Sequence, residues 1–177
     1  HFVGLSMGGF VGMRLAARRP DLIRSLALTE TSAQDEPNVA KYWFLNTIVK
    51  WFGINNLVVG PVMKIMFGKK FLNDPQRAAE RMEWIGQLKQ NKKTITRAVN
   101  GVIKRQAAAD ELNKVTCPTL VVVGTQDIAT TPAKAEFLHS KIPQSKLVYI
   151  EGAGHTSCVE EPEQYNTALE QFWNGLE

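Results

Sequence analysis

Short, nearly uninterrupted apolar runs recur along the chain and predict the strands of a parallel sheet. Three of them occupy residues 1–5, 25–29 and 119–124, and a fourth, at 146–151, is similar. Continuous hydrophobicity, in place of apolar–polar alternation, is typical of strands that are covered on both faces. We therefore expect these four runs to be buried strands of one sheet.

Helical patterns lie between and after these strands. The glycine-rich segment behind the first strand predicts a helix that ends before Pro20. Thr131–Pro132 supplies an N-cap and a first helical position for a helix that runs to about Lys141. Glu161–Pro162 repeats this start signal, and four apolar residues then share one helical face: Tyr165, Leu169, Phe172 and Trp173. This alternation predicts the α/β class, with a parallel sheet and crossover helices.

The middle of the chain contains helical patterns and no convincing strand. Four patterns can be distinguished: residues 36–53, residues 55–68, a segment opened by Asp74–Pro75 that carries Met82, Ile85 and Leu88, and a segment marked by Ile95, Val99, Val102 and Ile103. We expect residues 31–108 to form a helical cap, inserted into an α/β core made of residues 1–30 and 109–177. The aromatic and methionine side chains of the cap either pack on the core or, in a few cases, line an apolar substrate pocket.

Composition narrows the class of protein. Of 177 residues, 44% are hydrophobic and 21% are charged, which is ordinary for a globular domain, and the net charge of +4 comes from scattered basic residues. We therefore expect neither a nucleic acid nor a membrane as partner, and a cytoplasmic location. Cys117 and Cys158 lie far apart in no metal-like spacing, so reduced thiols are favoured over a disulfide, and we expect no metal and no cofactor.

The candidate chemistry begins with the sequence Gly4-Leu5-Ser6-Met7-Gly8. A Gly-x-Ser-x-Gly motif that joins a strand to a helix is typical of a nucleophile elbow. In such a turn the serine backbone is strained, and glycines two positions before and after it leave room for the close approach. The turn lifts the Ser6 hydroxyl above the sheet edge, and the backbone N–H of Met7 points to where an oxyanion would form.

A serine hydroxyl needs a base, and the base needs an acid to orient it. Of three histidines, we favour His155, since it follows the fourth strand at the same sheet edge as Ser6, whereas His1 and His139 lie in a strand and a helix. Asp127 follows the third strand at this edge and is the favoured acid. Glu30, which follows the second strand, remains the alternative.

Three other acidic residues receive structural interpretations. Asp21 and Glu151 are read as surface or strand-end charges, and Glu160 as a hydrogen-bonding group near the start of the last helix.

Three segments together resemble the α/β-hydrolase superfamily: "GLSMGG", "CPTLVVVGTQD" and "IEGAGHTSCVEEPEQYN", in that order. The chain is most similar to the group of 3-oxoadipate enol-lactonases, small carboxylesterases and C–C bond hydrolases, over residues 1–32 and 109–174. The resemblance implies a serine hydrolase that cleaves esters or lactones of small, partly apolar acids, with Ser6, Asp127 and His155 as a triad. C–C bond hydrolysis of ring-cleavage products and a non-catalytic ligand-binding role are the alternatives.

Members of this superfamily carry further strands before the nucleophile, including a loop that supplies a second oxyanion N–H. We therefore expect this chain to be the C-terminal portion of a hydrolase, with its N-terminal strands absent and its activity lost or impaired in this form. Such a chain would expose the edge of its first strand. We expect that edge to pair in a homodimer or to associate with the N-terminal portion.

Overall fold

A computed structural model describes residues 1–176 of the chain. Its four strands form a single parallel sheet in the order β1-β2-β3-β4, with bounds β1 Phe2–Leu5, β2 Leu26–Thr29, β3 Thr119–Gly124 and β4 Ser145–Ile150. In the register, Phe2 pairs with Leu26, Leu26 with Thr119, and Thr119 with Ser145. The four strands predicted from the apolar runs are confirmed to within a residue at each end. Because all four run in the same direction, the segments that follow them meet at one edge of the sheet.

Nine α-helices accompany the sheet in the described part of the chain: α1 Met7–Arg18, α2 Val39–Phe52, α3 Asn56–Met66, α4 Lys69–Asn73, α5 Ala78–Gln90, α6 Ile95–Ile103, α7 Pro132–Lys141, α8 Ser157–Glu160 and α9 Pro162–Asn174. Three short 3₁₀ turns occupy Pro20–Leu22, Pro75–Arg77 and Ala109–Lys114. The predicted C-terminal end of α1, both predicted ends of α7 and the predicted start of α9 are confirmed. The short helices α4 and α8 lie outside the predicted set, since each is too brief to show a periodic pattern.

The two central strands are buried on both faces, as their apolar runs predict. Leu28 and Val121 face one core cluster, which helices α1 and α7 complete. Ala27 and Val122 face the other, which helix α9 completes with Tyr165, Ala168, Leu169 and Phe172. Trp173 is half-buried against that second cluster, which confirms the predicted apolar face of α9.

The outer strands differ from the prediction of full burial. β1 and β4 form the two edges of the described sheet and are only partly covered. The side chain of Val3 in β1 and that of Tyr149 in β4 are both exposed. An edge strand can be as apolar as a central one, so the composition of these short runs does not separate the two positions.

Helices and 3₁₀ turns joined by loops make up the segment between β2 and β3, and residues 30–118 of the structure contain no strand. Helices α3, α4 and α5 enclose a cluster of their own around Val59, Met63, Phe67 and Phe71. Ile85 and Leu88 pack against it as expected, but Met82 is exposed. The division of the chain at residues 30 and 109 into core and cap remains a prediction.

Two of the predicted helix starts, at Thr131 and at Asp74, differ in detail from the prediction. Thr131 occupies the N-cap position of α7, but its side chain accepts no bond from the described helix backbone. Its carbonyl accepts from Lys134 N at 2.8 Å instead. The Asp74 carboxylate does cap a turn, accepting from Gln76 N at 2.8 Å, but that turn is 3₁₀ and α5 begins only at Ala78.

The helices of residues 1–176 include none that is both long and apolar enough to cross a membrane. Cys117 and Cys158 are free thiols, in agreement with the preference for the reduced form.

Candidate active site

Ser6 lies at the turn between β1 and α1 in a strained backbone conformation. Its φ of 49° and ψ of −108° fall where residues with a side chain are rarely found, a cost of about 1–3 kcal/mol that surrounding structure must offset. Two contacts hold it there: Ser6 N donates to Thr29 O at 2.8 Å, and the Thr31 hydroxyl donates to Ser6 O at 2.8 Å. The strand β2 thus fixes the turn from its neighbouring position in the sheet.

The glycine positions that lack room for a Cβ atom differ from the prediction. A Cβ at Gly4 would lie 2.5 Å from the backbone carbon of Gly8, so the close approach expected there is confirmed. A Cβ at Gly8 would meet no heavy atom of the described residues within 4 Å, so the prediction of a clash at Gly8 is wrong. The crowded position in the helix is Gly9, where a Cβ would lie 2.6 Å from the side chain of Thr31.

Met7 is the first residue of α1, and its N–H therefore has no acceptor within the helix. The N-terminal end of a helix also carries a partial positive charge. Both features favour a developing negative charge beside Ser6.

His155 connects Ser6 to Asp127. Its Nε2 lies 2.9 Å from Ser6 Oγ, and its Nδ1 lies 2.8 Å from Asp127 Oδ2. Both His155 and Asp127 are buried, at 6% and 3% exposure. Since a carboxylate only accepts hydrogen bonds, the proton of His155 lies on Nδ1, and Nε2 is free to accept the hydroxyl proton of Ser6.

Asp127 is held as an anion by several donors. Its Oδ1 accepts from the backbone N–H groups of Ala129 and Thr130 at 2.7 and 2.9 Å, and its Oδ2 from the Thr130 hydroxyl at 2.7 Å. Burial acts to raise the pKa of Asp127, but the hydrogen bonds from His155 and Thr130 outweigh it and hold the pKa below its usual value.

Thr130 was not singled out from the sequence, yet its hydroxyl also lies 3.2 Å from His155 Nδ1. A threonine three residues after a candidate acid is a common turn residue, so its type alone carries little signal.

Glu30, the alternative acid, occupies a different position. It follows β2 with a φ of 42° and is fully buried. Neither carboxyl oxygen has a hydrogen-bond partner of good geometry among residues 1–176, although the Ser157 hydroxyl lies nearby. Burial raises the pKa of Glu30 well above its usual value, and the charges of Asp127 and Glu160 add to this. The structure therefore places Asp127, and not Glu30, against His155.

Glu160 holds the loop that carries His155. Its Oε1 accepts from the N–H groups of Gly154 and Thr156, at 2.9 and 3.2 Å, which are the two neighbours of His155 in the chain. Its Oε2 accepts from Gly68 N at 2.7 Å, at the start of α4. The role of hydrogen-bonding group predicted for Glu160 is confirmed, and one buried carboxylate joins the histidine loop to the helical segment.

The remaining candidate residues lie away from this cluster. His1 Nδ1 contacts Ser25 Oγ at 2.7 Å, and His139 Nδ1 contacts Ser145 Oγ at 2.8 Å. Asp21 pairs with Arg19 at the surface, and Glu151 is exposed at the end of β4. Within residues 1–176, no group of three His, Cys, Asp or Glu side chains is arranged to hold a metal ion.

A large open cavity lies beside the acid-bearing loop. It has a volume of about 1090 Å³, and its apolar walls come from α3 and α5 through Met63, Phe67 and Ile85. Asp127 and Ile128 form part of its lining on the sheet side. This is the arrangement expected if a few apolar side chains of the helical segment line a pocket.

Known proteins are similar to this chain in sequence and in fold. A sequence model described as alpha/beta hydrolase fold matches residues 1–162. A pimeloyl-(acyl-carrier protein) methyl ester esterase of Neisseria meningitidis serogroup C is 28% identical over 98% of this chain and 69% of its own length. The 3-oxoadipate enol-lactonase 2 of Acinetobacter baylyi is 28% identical over 96% of this chain and 61% of its own.

The likeness extends to solved structures. The crystal structure of the enol-lactonase from Burkholderia xenovorans superimposes with a TM-score of 0.84 at 27% identity, over 98% of this chain and 65% of that one. The chain thus spans about two thirds of the length of the relatives it matches. The sequence match over residues 1–162 agrees with the parallel sheet and with the turn that places Ser6 between a strand and a helix. The chain therefore belongs to the alpha/beta hydrolase fold family.

Proposed function

We propose that the protein is a serine hydrolase that cleaves ester or lactone bonds of small, partly apolar substrates. The observation that carries this proposal is the continuous series of contacts from Ser6 Oγ through His155 to Asp127, at 2.9 and 2.8 Å. Nucleophile, base and orienting acid are thereby within hydrogen-bond reach of one another.

In the first step, Ser6 Oγ attacks the carbonyl carbon while its proton passes to His155 Nε2. The imidazolium that forms lies against Asp127, whose low pKa keeps it ionised and able to stabilise the positive charge. The carbonyl oxygen becomes an oxyanion, and the free N–H of Met7 at the start of α1 supports it.

The tetrahedral intermediate then collapses. The bond to the leaving alkoxide breaks, and His155 Nε2 returns its proton to that oxygen, which leaves the acyl group on Ser6 and His155 neutral. A water molecule attacks the acyl-enzyme while giving its proton to His155, and the acid is released as Ser6 recovers its proton.

The names of the relatives support the choice of bond. One is a methyl ester esterase and another an enol-lactonase, so each name describes cleavage of an ester-type carbon–oxygen bond. The cavity beside Asp127 is lined by apolar and basic side chains but not by Ser6 or His155, so the choice of a small, partly apolar substrate rests on the resemblance to esterases and enol-lactonases.

Turnover of p-nitrophenyl butyrate, followed by release of p-nitrophenolate, tests the proposal. Replacement Ser6→Ala should lower kcat by about 10⁶-fold, because nucleophile and base act as a unit. Retained turnover in that variant would refute the assignment. Faster turnover of a vinylogous diketone than of any ester would support C–C bond hydrolysis in its place. A ligand-binding role is tested by fluorophosphonate labelling, because a binding pocket without an activated serine need not react with the probe.

A further inference from the structure

Helix α2 presents its aromatic side chains to the outside. Trp43, Phe44 and Trp51 are 59%, 63% and 67% exposed, and we call these three side chains the aromatic face. Phe44 and Trp51 are seven residues apart, so they project in nearly the same direction from the helix, with Trp43 on the same half. A surface helix of a globular protein normally directs such residues inward.

The inner side of α2 carries a buried polar residue as well as apolar ones. Asn46 is buried and donates through Nδ2 to Thr96 O at 3.2 Å and to Asn100 Oδ1 at 3.0 Å, both on α6. The only other buried residue of α2 is Val49. Amide contacts thus help to attach the helix to α6, and the three side chains of the aromatic face are left free to contact something else.

Exposed apolar side chains are concentrated at this place. Of the six most exposed large hydrophobic side chains in residues 1–176, five lie between positions 43 and 57: Trp43, Phe44, Trp51, Phe52 and Leu57. Single exposed apolar residues are normal on any protein, but a concentration of them marks an interaction surface.

The charged residues within and just after α2 in the sequence have one sign. Residues 38–73 contain five lysines and no aspartate or glutamate. Lys41 and Lys50 flank the aromatic face on α2, and Lys93 joins them through its Nζ, which donates to Trp51 O at 2.6 Å. Of the two acids that precede α2, Glu36 is buried and paired with Arg105 at 3.2 Å, and Asp35 is exposed.

We propose that the aromatic face is a docking surface for anionic phospholipid bilayers. Tryptophan and phenylalanine rings favour the headgroup boundary, and lysines beside them are attracted to acidic lipids. The charge pattern argues against a second copy as the occupant, because a two-fold contact would set this lysine-rich segment against itself. Surface binding of this kind needs no membrane-spanning segment, and it differs from the expectation drawn from the sequence that no membrane is a partner.

Co-sedimentation of the full chain with vesicles tests the proposal independently of any hydrolase activity. One set of vesicles contains phosphatidylcholine alone, and the other contains equal parts of phosphatidylcholine and phosphatidylglycerol. We expect binding to the mixed vesicles at low salt, weakened at high salt, and at least about tenfold weaker binding to phosphatidylcholine alone.

Two double variants separate the contributions of apolar and charged side chains to vesicle binding. The double substitution Trp43→Ser/Trp51→Ser should weaken binding at least about tenfold, and Lys41→Gln/Lys50→Gln should weaken it by roughly fivefold per lysine. Matched controls change exposed residues elsewhere: Leu22→Ser/Met82→Ser for apolar area and Lys114→Gln/Lys146→Gln for charge. These controls should bind as the unchanged protein does, and circular dichroism confirms that each variant is folded.

Three outcomes would overturn the proposal. In the first, the unchanged protein stays in the supernatant with both kinds of vesicle. In the second, the controls lose as much binding as the variants at the aromatic face. In the third, light scattering shows a dimer that dissociates on Trp43→Ser/Trp51→Ser while vesicle binding is absent, which would assign the surface to a second copy.

Discussion

The Nε2 atom of His155 lies 2.9 Å from the Oγ atom of Ser6, although the two residues are 149 positions apart in the chain. The parallel sheet makes this contact. Ser6 follows β1 and His155 follows β4, and the parallel direction of all four strands brings both to one edge. The chemistry proposed for the protein depends on that arrangement.

Replacement of Asp127 and replacement of Glu30, the two candidate acids, should affect kcat very differently. Asp127→Asn removes the anion at His155 Nδ1 and permits the wrong tautomer, so kcat for p-nitrophenyl butyrate should fall by about 10⁴-fold. Glu30→Gln should leave kcat close to that of the unchanged protein, since Glu30 does not contact His155. The reverse order, with Glu30→Gln the more damaging change, would make Glu30 the orienting acid.

A pair of neighbouring glycines gives a test of the packing around the turn. Gly9→Ala would place a Cβ 2.6 Å from Thr31, whose hydroxyl holds the Ser6 carbonyl, and should cost about 1–3 kcal/mol in the free energy of unfolding. Gly8→Ala meets open space and should be neutral or stabilising by up to about 0.5 kcal/mol. Urea denaturation of both variants measures the difference, and equal losses would contradict this account of the turn.

The buried carboxyl of Glu30 should make stability depend on pH. Its folded pKa is raised above its unfolded value by burial, so its contribution to stability is fully present below the unfolded pKa and is lost as the pH rises toward the folded pKa. Over that window the free energy of unfolding should fall by about 1.4 kcal/mol per pH unit from this group.

Glu30→Gln is the matching variant, because a neutral amide of the same size removes the titration. Its advantage in stability over the unchanged protein should grow as the pH rises above the unfolded pKa of a glutamate toward the raised folded pKa of Glu30, as measured by urea denaturation at several pH values. Parallel pH profiles for the two proteins would show that Glu30 titrates normally.

Glu160 should act on catalysis through the position of His155. In Glu160→Gln an amide NH₂ would face one of the backbone N–H groups that now donate to the carboxylate. The unpaired donors should lower the free energy of unfolding by about 1–3 kcal/mol. We expect a lower melting temperature and a lower kcat, with little change in KM. Glu163→Gln, at an exposed position of α9, is the control and should change neither. A variant at Glu160 that melts lower but keeps its kcat would limit this carboxylate to a purely structural role.

The sequence predicted the fold well because its signals are local. Apolar runs identify strands and prolines mark helix starts, and neither depends on distant contacts. The sequence also predicted where the site residues lie. Ser6, Asp127 and His155 each follow a strand, and residues that follow parallel strands lie at the same edge of the sheet. The choice of Asp127 over Glu30 as neighbour of His155 could not be derived in this way, since both residues satisfy the same rule.

Other features depend on three-dimensional packing. Whether Gly8 or Gly9 is crowded depends on Thr31, a residue of another element, and the importance of Thr130 depends on its closeness to His155. The orientation of α2 could not be foreseen either. Its pattern is apolar on more than one face, and the amide contacts of Asn46 with α6 decide which side is turned inward.

Labelling with a fluorophosphonate probe tests the central claim most directly, because the reagent requires an activated serine and no particular substrate. Mass spectrometry of the labelled chain should locate the phosphonyl group on Ser6. Labelling should be absent in Ser6→Ala and at least about 10³-fold slower in His155→Gln, while His139→Gln should label at the rate of the unchanged protein. Labelling at another residue, or equal rates with and without His155, would contradict the assignment of Ser6 as a nucleophile activated by His155.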